Sequence, residues 1–277
     1  MDYDSSNSPN PRRFLIRAVP VAIAVIVVLY QYFSSEKFTN EAGRTAHHAL
    51  NPQQEQALGM QSYDQVLQES QSIGSGPDYD LVKRVADRLA AVAGPSAKDF
   101  DWRVALVESS QINAFCLPGG KIVVYTGILP VTRSEAGLAT VLGHEMAHAT
   151  LRHGSERLLQ QKETQTFMTG VQFSLGDMSY DQRRAVMGAI GAGAQYGLLL
   201  PFSRVHESEA DKMGLFYMAR AGYDPQEAID FWQRMSQATA SGGKQPELLS
   251  THPSDATRIA QLQRLLPAAV EEFQRPH

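Results

Sequence analysis

His144-Glu145-Met146-Ala147-His148, set in the run Leu142-Gly143-His144-Glu145-Met146-Ala147-His148-Ala149, decides how the rest of the chain is read. On a helix, two His four positions apart project from one face, one turn apart. That spacing lets two imidazoles grip one zinc ion. Glu145 lies about 100° further round the helix, where its carboxylate reaches water beside the metal without ligating. The surroundings read as helix. Apolar and small residues dominate from Ala136 to Leu151. Thr132 and Glu135 have capping-box spacing, Ser134 is a second cap, and Gly154 is the expected stop. Two buried, hydrogen-bonded core histidines are the plain alternative, since the motif fixes only three positions.

A hydrolytic zinc site takes three protein ligands and leaves one position for water. The third ligand is expected as His, Glu or Asp on another element. His206-Glu207-Ser208-Glu209-Ala210-Asp211 offers Glu207, with Asp211 one turn later on the same face. Such a carboxylate accepts a ligand His N–H and fixes its tautomer. Glu209 faces the other side of that helix and is the weaker candidate. A solvated acidic helix start would leave the same residues.

Composition excludes several classes. The 277 residues are 43% hydrophobic and 19% charged, an ordinary globular balance. A net charge of −4 gives no sign of nucleic-acid binding. The single cysteine, Cys116, excludes an intramolecular disulfide framework and a cysteine-based zinc site, and is expected to serve packing.

Residues 1–13 are polar and read as a cytoplasmic tail. Residues 14–33 read as one transmembrane signal anchor: Ala18–Tyr30 carries no charge, and Arg17 can snorkel. Arg12, Arg13 and Arg17 precede the apolar run and favour a cytoplasmic N-terminus. In a Gram-negative cell this predicts a single-pass inner-membrane protein with a periplasmic catalytic domain. Gln31-Tyr32-Phe33-Ser34-Ser35 supplies no good cleavage site for a signal peptide, and Asp2 and Asp4 argue against a mitochondrial presequence. Residues 34–76 read as a polar connector, with His47-His48 solvated and Asn51-Pro52 starting a helix towards Leu67.

Folded sequence resumes in a domain over 77–277. Leu81, Val82, Val85, Leu89 and Val92 recur at helical spacing, and Gly94-Pro95 closes that element. Trp102–Val107, Ile112–Leu117 and Lys121–Thr126 read as strands, the last two joined by Pro118-Gly119-Gly120. The expected class is α+β and mostly helical, with a small sheet beside the His144 helix. Residues 155–203 read as a helical insertion. Its stretch Ala185–Phe202 is interrupted by Gln195, Pro201 and four glycines, so a buried or groove-covering helix is expected and not a second span. Helices follow from about Ser203, over Pro225–Thr239 and through Arg258, with a flexible break at Ala240-Ser241-Gly242-Gly243-Lys244.

Taken together, His144-Glu145-x-x-His148, then Ser203-Arg204-x-x-Glu207-x-Glu209-Ala210-Asp211, then Thr251-His252-Pro253 with Arg258-Ile259, resemble the M48 metallopeptidase family. Asn113-Ala114-Phe115-x-x-Pro118-Gly119-Gly120 matches the family's strand beside the active site. The resemblance covers roughly residues 55–267. It implies a zincin fold, one Zn2+ per chain on His144, His148 and Glu207, and Glu145 as general base. It also implies that a substrate peptide pairs strand-fashion with the edge near Asn113, Ala114 and Phe115. His252 matches a His that occupies the open zinc position in latent relatives, and Arg258 an Arg that points back at the site. The sequence departs from multispan members in having one apolar span, and from others in showing no tetratricopeptide region after residue 270.

The expected activity is zinc-dependent endoproteolysis of unfolded or misassembled envelope proteins. Polypeptides are the substrates, and the membrane is reached through the N-terminal helix. For the oxyanion, His252 or Arg258 are the first candidates, with Tyr196 and Tyr217 more distant ones. The sequence names no protein partner. The rival is a membrane-tethered, zinc-containing chaperone or scaffold that binds unfolded chains without cutting. A hydrolase of small substrates is disfavoured by the strand-turn at Asn113–Gly120, which suits an extended peptide.

Overall fold

The computed structural model describes residues 11–176, 178–194, 200–240, 247–252 and 256–275. The expected tail before residue 11, Tyr196, the 241–244 break and Pro253 lie outside the described residues. In order the elements are α1 (Pro11–Ser34), β1 (Glu36–Thr39), β2 (Thr45–His48), α2 (Pro52–Glu69), β3 (Ser72–Ile73), α3 (Pro77–Ala90), β4 (Arg103–Val107), β5 (Ala114–Leu117) and β6 (Lys121–Tyr125). Then follow α4 (Leu129–Thr132), α5 (Glu135–Thr150), α6 (His153–Ser174), α7 (Tyr180–Ala194), α8 (Leu200–Arg220), α9 (Gln226–Ala240), α10 (Glu247–Thr251) and α11 (Ala256–Phe273). The chain is α+β and mostly helical. It divides into two compact units, one of Met1–Lys37, His47–Ala49 and Glu156–Ser203, the other of Phe38–Ala46, Leu50–Ser155 and Arg204–His277.

The second unit is built on a four-stranded sheet in the order β3-β4-β6-β5. β4 and β6 are parallel, and the other pairs are antiparallel. The period-2 alternation of a strand sends Leu106, Ile122 and Val124 to one face and Ala105, Val107 and Val123 to the other. The first face carries the main core, where Val85 and Leu89 of α3 meet Leu138, Leu142 and Met146 of α5 and Phe231 and Trp232 of α9. The second face packs against Tyr63 of α2. Among the described residues β5 is paired on one side only, so Ala114–Leu117 is a sheet edge.

Residues 34–76 are therefore more than the connector the sequence suggested. They contain β1, β2, α2 and β3, and from Leu50 on they share a compact unit with α5. Asn51 caps α2 through a reciprocal pair of bonds with Gln54. Only Glu55, Gly59 and Tyr63 of α2 are buried, a narrow i, i+4, i+8 stripe. Nor are His47 and His48 simply solvated: His47 stacks on Tyr32 at 4.0 Å and lies 2.8 Å from Ser35 Oγ, and His48 is buried. Tyr32 in the last turn of α1 and Ser35 just beyond it give His47 its partners.

In the first unit α1 contributes the window Arg17–Ser34, with a mean hydropathy of 1.6 and almost no burial. Among the described residues it is the helix long and apolar enough to cross a membrane. α7 buries none of its residues whose side chains are described, so of the buried or groove-covering helix expected over Ala185–Phe202 the buried reading is corrected for 185–193. Its uncharged stretch consists largely of Ala and Gly, which offer little side chain to bury.

Candidate metal centre

α5 places the two motif histidines. Ser134 Oγ caps it by accepting from Gly137 N at 2.9 Å. Thr132 is not the cap, because its hydroxyl closes the preceding turn by donating to Leu129 O. Thirteen of the 16 residues of α5 are buried, which is why its sequence is apolar all round instead of striped. The helix ends at Thr150, Arg152 two residues on takes a left-handed φ of 60°, and Gly154 lies inside α6. An arginine in that conformation needs outside support. Glu55 supplies it by accepting from Arg152 Nε with both oxygens, at 3.1 and 3.0 Å, while Leu50 O accepts from Nη2 at 2.7 Å.

α8 crosses α5 at Gly143 and Gly214. A Cβ added at Gly214 would lie 2.7 Å from His144 N and 2.9 Å from Gly143 C. This close approach brings Glu207 opposite both histidines. Glu207 Oε2 is 3.3 Å from His144 Nε2, and Oε1 is 3.3 Å from His148 Nε2. The two Nε2 atoms are 3.1 Å apart. His252, just past α10, adds Nδ1 at 3.1 Å from His144 Nε2 and 3.0 Å from each Glu207 oxygen. One donor atom from each of His144, His148, Glu207 and His252 lies within 4.8 Å of the others. A tetrahedral metal with bonds of about 2.05 Å sets its donors about 3.3 Å apart, so the residues present fit zinc.

The electrostatics also favour a cation at the centre. Burial raises the Glu207 carboxyl, but hydrogen bonds from three histidines outweigh it and hold the group far below the usual carboxylate range. Burial and Arg258 depress His144, yet Asp211 and Glu207 lift it to about 9. Burial drives His148 well below its ordinary value, with Glu207 only partly opposing. Glu145 is buried, and among the described residues its Oε1 has no hydrogen-bond partner; His252 Nε2 lies 3.4 Å from it. A buried carboxylate oxygen without a donor is uncommon and marks a functional position.

Around this cluster, Asp211 Oδ1 lies 2.9 Å from His144 Nδ1 and accepts from Arg258 Nε at 3.0 Å and Nη2 at 2.5 Å. The Arg258 guanidinium lies 3.6 Å over the Trp232 ring, and its Nη1 donates to His252 O. Tyr217 is elsewhere, its buried hydroxyl 3.0 Å from Thr150 Oγ1 and donating to Glu41. Arg204 is exposed. The Cys116 thiol is pushed up by burial, which suits packing. Asn113, Ala114 and Phe115 run along the β5 edge, where Asn113 O accepts from Tyr125 N. Leu248 N donates to Ile112 O, tying the segment that carries His252 to the same edge.

Glu209 stays out of the cluster and meets Arg44, Asn40 and His153. The sequence reading did not single out His153 or Arg44. The one available signal was a third His five residues after His148, and nothing in the sequence places Arg44 near it.

A helix carrying HExxH, an acidic donor on a crossing helix and a strand edge alongside define a metallopeptidase. The Peptidase family M48 model matches residues 79–266, and the chain belongs to that family as a metalloendopeptidase. The Schizosaccharomyces pombe mitochondrial metalloendopeptidase OMA1 is 34% identical over 267 residues, covering 95% of this chain and 76% of that protein. Human OMA1 is 32% identical over 252 residues, covering 87% of this chain and 48% of its own length. The Yersinia pestis β-barrel assembly-enhancing protease is 30% identical over 223 residues, covering 79% of this chain and 45% of that protein.

The α5–α8 crossing gives a direct prediction. Gly214→Ala is expected to push the helices apart and displace Glu207 from the histidines, lowering peptide cleavage about 100-fold. A peptide-cleavage assay checks it, with folding monitored by circular dichroism. Unchanged kcat/KM would show that the close contact does not set the site.

Proposed function

We propose that the protein is a zinc-dependent endopeptidase that cuts unfolded or misassembled membrane and envelope proteins from a membrane-anchored position. The observation that carries this is the cluster of His144, His148, Glu207 and His252 with the buried Glu145 carboxylate beside it. His144, His148 and Glu207 hold the metal, and Asp211 orients His144 by accepting its Nδ1–H. Zinc, when bound, supplies a Lewis acid that acidifies water and polarises a carbonyl. Glu145 takes the water proton and hands it to the leaving amine. The β5 edge receives the substrate as an added strand through Asn113, Ala114 and Phe115, so backbone bonds do most of the recognition and loosely folded polypeptides are favoured. α1 anchors the chain. Arg17 and the preceding arginines favour a cytoplasmic N-terminus and a catalytic unit across the inner membrane. Relatives named for mitochondria and for β-barrel assembly support an envelope setting.

His252 supplies a fourth donor, and we read it as a latch that substrate must displace before Arg258 can assist the oxyanion. His252→Ala is expected to raise casein cleavage roughly tenfold, the effect of removing a competing ligand worth about 1.4 kcal/mol. Zinc content is measured on the same preparations. Equal or lower cleavage with zinc retained would remove the latch. The same fourth donor favours a second reading, a closed structural zinc in a scaffold that binds chains without cutting. Absence of cleavage in both wild type and His252→Ala would favour that reading.

A further inference from the structure

The two motif histidines are held from behind in different ways. His144 meets a carboxylate directly, through Asp211 on α8. Among the described residues no carboxylate takes that place at the Nδ1 of His148. Its Nδ1 lies 2.9 Å from His153 Nδ1, His153 Nε2 lies 3.0 Å from Glu209 Oε2, and Glu209 accepts from Arg44 Nε at 2.6 Å and Nη2 at 3.0 Å. We infer that His153, Glu209 and Arg44 form a positioning relay that fixes the tautomer and ring orientation of His148, and that this relay hooks the β1–β2 turn to the metal centre.

The proton logic allows one direction. With Nε2 turned into the cluster as a ligand, His148 carries its proton on Nδ1. That N–H donates to His153 Nδ1, which must then be bare. His153 therefore holds its proton on Nε2 and donates it to Glu209. An ionised carboxylate accepts only, and Glu209 takes its remaining bonds from Arg44 and from Asn40 Nδ2 at 3.1 Å. Every member is satisfied in this sense, and reversing any link leaves two donors or two acceptors facing each other.

Local geometry places the parts. The left-handed Arg152 turns the chain sharply between α5 and α6, which sets His153 behind His148. The His153 ring stacks on His206 at 4.1 Å and 11°, which fixes its plane. Asn40 and Arg44 close the β1–β2 turn, with Arg44 N donating to Asn40 Oδ1. Glu41 pins that turn by accepting from Ser96 N at 2.8 Å and from the Tyr217 hydroxyl. The turn begins six residues after the last residue of α1, so the segment that leaves the apolar helix takes part in holding a metal ligand.

The relay rests on the metallopeptidase reading above, and its test separates the two. Zinc affinity of the full-length protein in detergent is measured by competition with a chromophoric chelator, for wild type, His153→Phe, Glu209→Gln and the double variant. His153→Phe keeps a ring to stack on His206 but removes both nitrogens. The melting temperature of each zinc-free protein and the visible spectrum of each cobalt-substituted protein are recorded alongside. Each single change is expected to weaken zinc binding at least about tenfold and to shift the cobalt bands. The double variant is expected to be no worse than the weaker single one, because the residues act in series. Arg44→Gln, at the half-buried end, gives a smaller loss in the same direction, and it supplies the measurement should a core variant fail to fold. Unchanged zinc affinity and cobalt spectrum in folded variants would overturn the relay, as would a loss confined to the zinc-free melting temperature. Wild type that binds no zinc would instead overturn the reading of the metal site itself.

Discussion

Glu145→Gln is expected to remain folded and zinc-loaded while peptide cleavage falls by at least about 10³-fold, within the range general acid–base groups contribute. The amide has the shape of the carboxylate but cannot take a proton from water. Glu145 is on the same helix as His144 and His148 yet offers no atom to the four-donor cluster, so its loss is expected to spare the metal. Its Oε1 is buried without a hydrogen-bond partner among the described residues, so the amide breaks no internal hydrogen bond at that atom. Stability is therefore expected to change little. Loss of zinc along with activity would make Glu145 a ligand, and retained cleavage would remove it from the mechanism.

The largest expected effect on stability lies one layer out. Arg258 and Asp211 are both buried, and the Asp211 carboxylate takes two of its bonds from that one guanidinium. Arg258→Met preserves apolar volume against Trp232 but leaves the buried carboxylate, among the described residues, with His144 as its partner. Breaking such a pair costs about 3–5 kcal/mol, and chemical unfolding of the zinc-free protein measures it. Asp211→Asn in the same chain is expected to recover part of the loss, because a neutral amide carries no uncompensated charge. A cost below about 1 kcal/mol for Arg258→Met would show that water reaches the pair and that His144 is not held as described.

The parts legible in the sequence are those fixed by helical spacing. His144 and His148, and Glu207 with Asp211, each lie four apart, and a turn of helix brings each pair to one face without help from the rest of the chain. The strand-turn-strand at Ile112–Thr126 was visible for the same local reason, with β5 starting two residues later than the pattern suggested. What the sequence hid depends on contacts across long separations. Gly154 is the residue that tolerates a left-handed turn, yet Arg152 takes it because Glu55, 97 residues earlier, holds its side chain. α2 leaves a weak signal in the sequence because it presents one carboxylate, one glycine and one tyrosine to the interior instead of an apolar stripe. Gly59 sits there because a side chain would collide with the Pro118 carbonyl. Helical spacing turns Glu209 away from the metal-binding face, and only the fold shows that it meets the His153 ring that backs His148.

The central claim is that one metal held by His144, His148 and Glu207, with Glu145 beside it, hydrolyses peptide bonds. Its most direct test is to measure bound zinc and casein cleavage on the same full-length preparations: wild type as purified, after chelation, after zinc is restored, and Glu145→Gln. The expected result is one zinc per chain, cleavage lost on chelation and regained with zinc, and none above background in zinc-loaded Glu145→Gln. Cleavage by the metal-free protein, or by zinc-loaded Glu145→Gln at the wild-type rate, would contradict it.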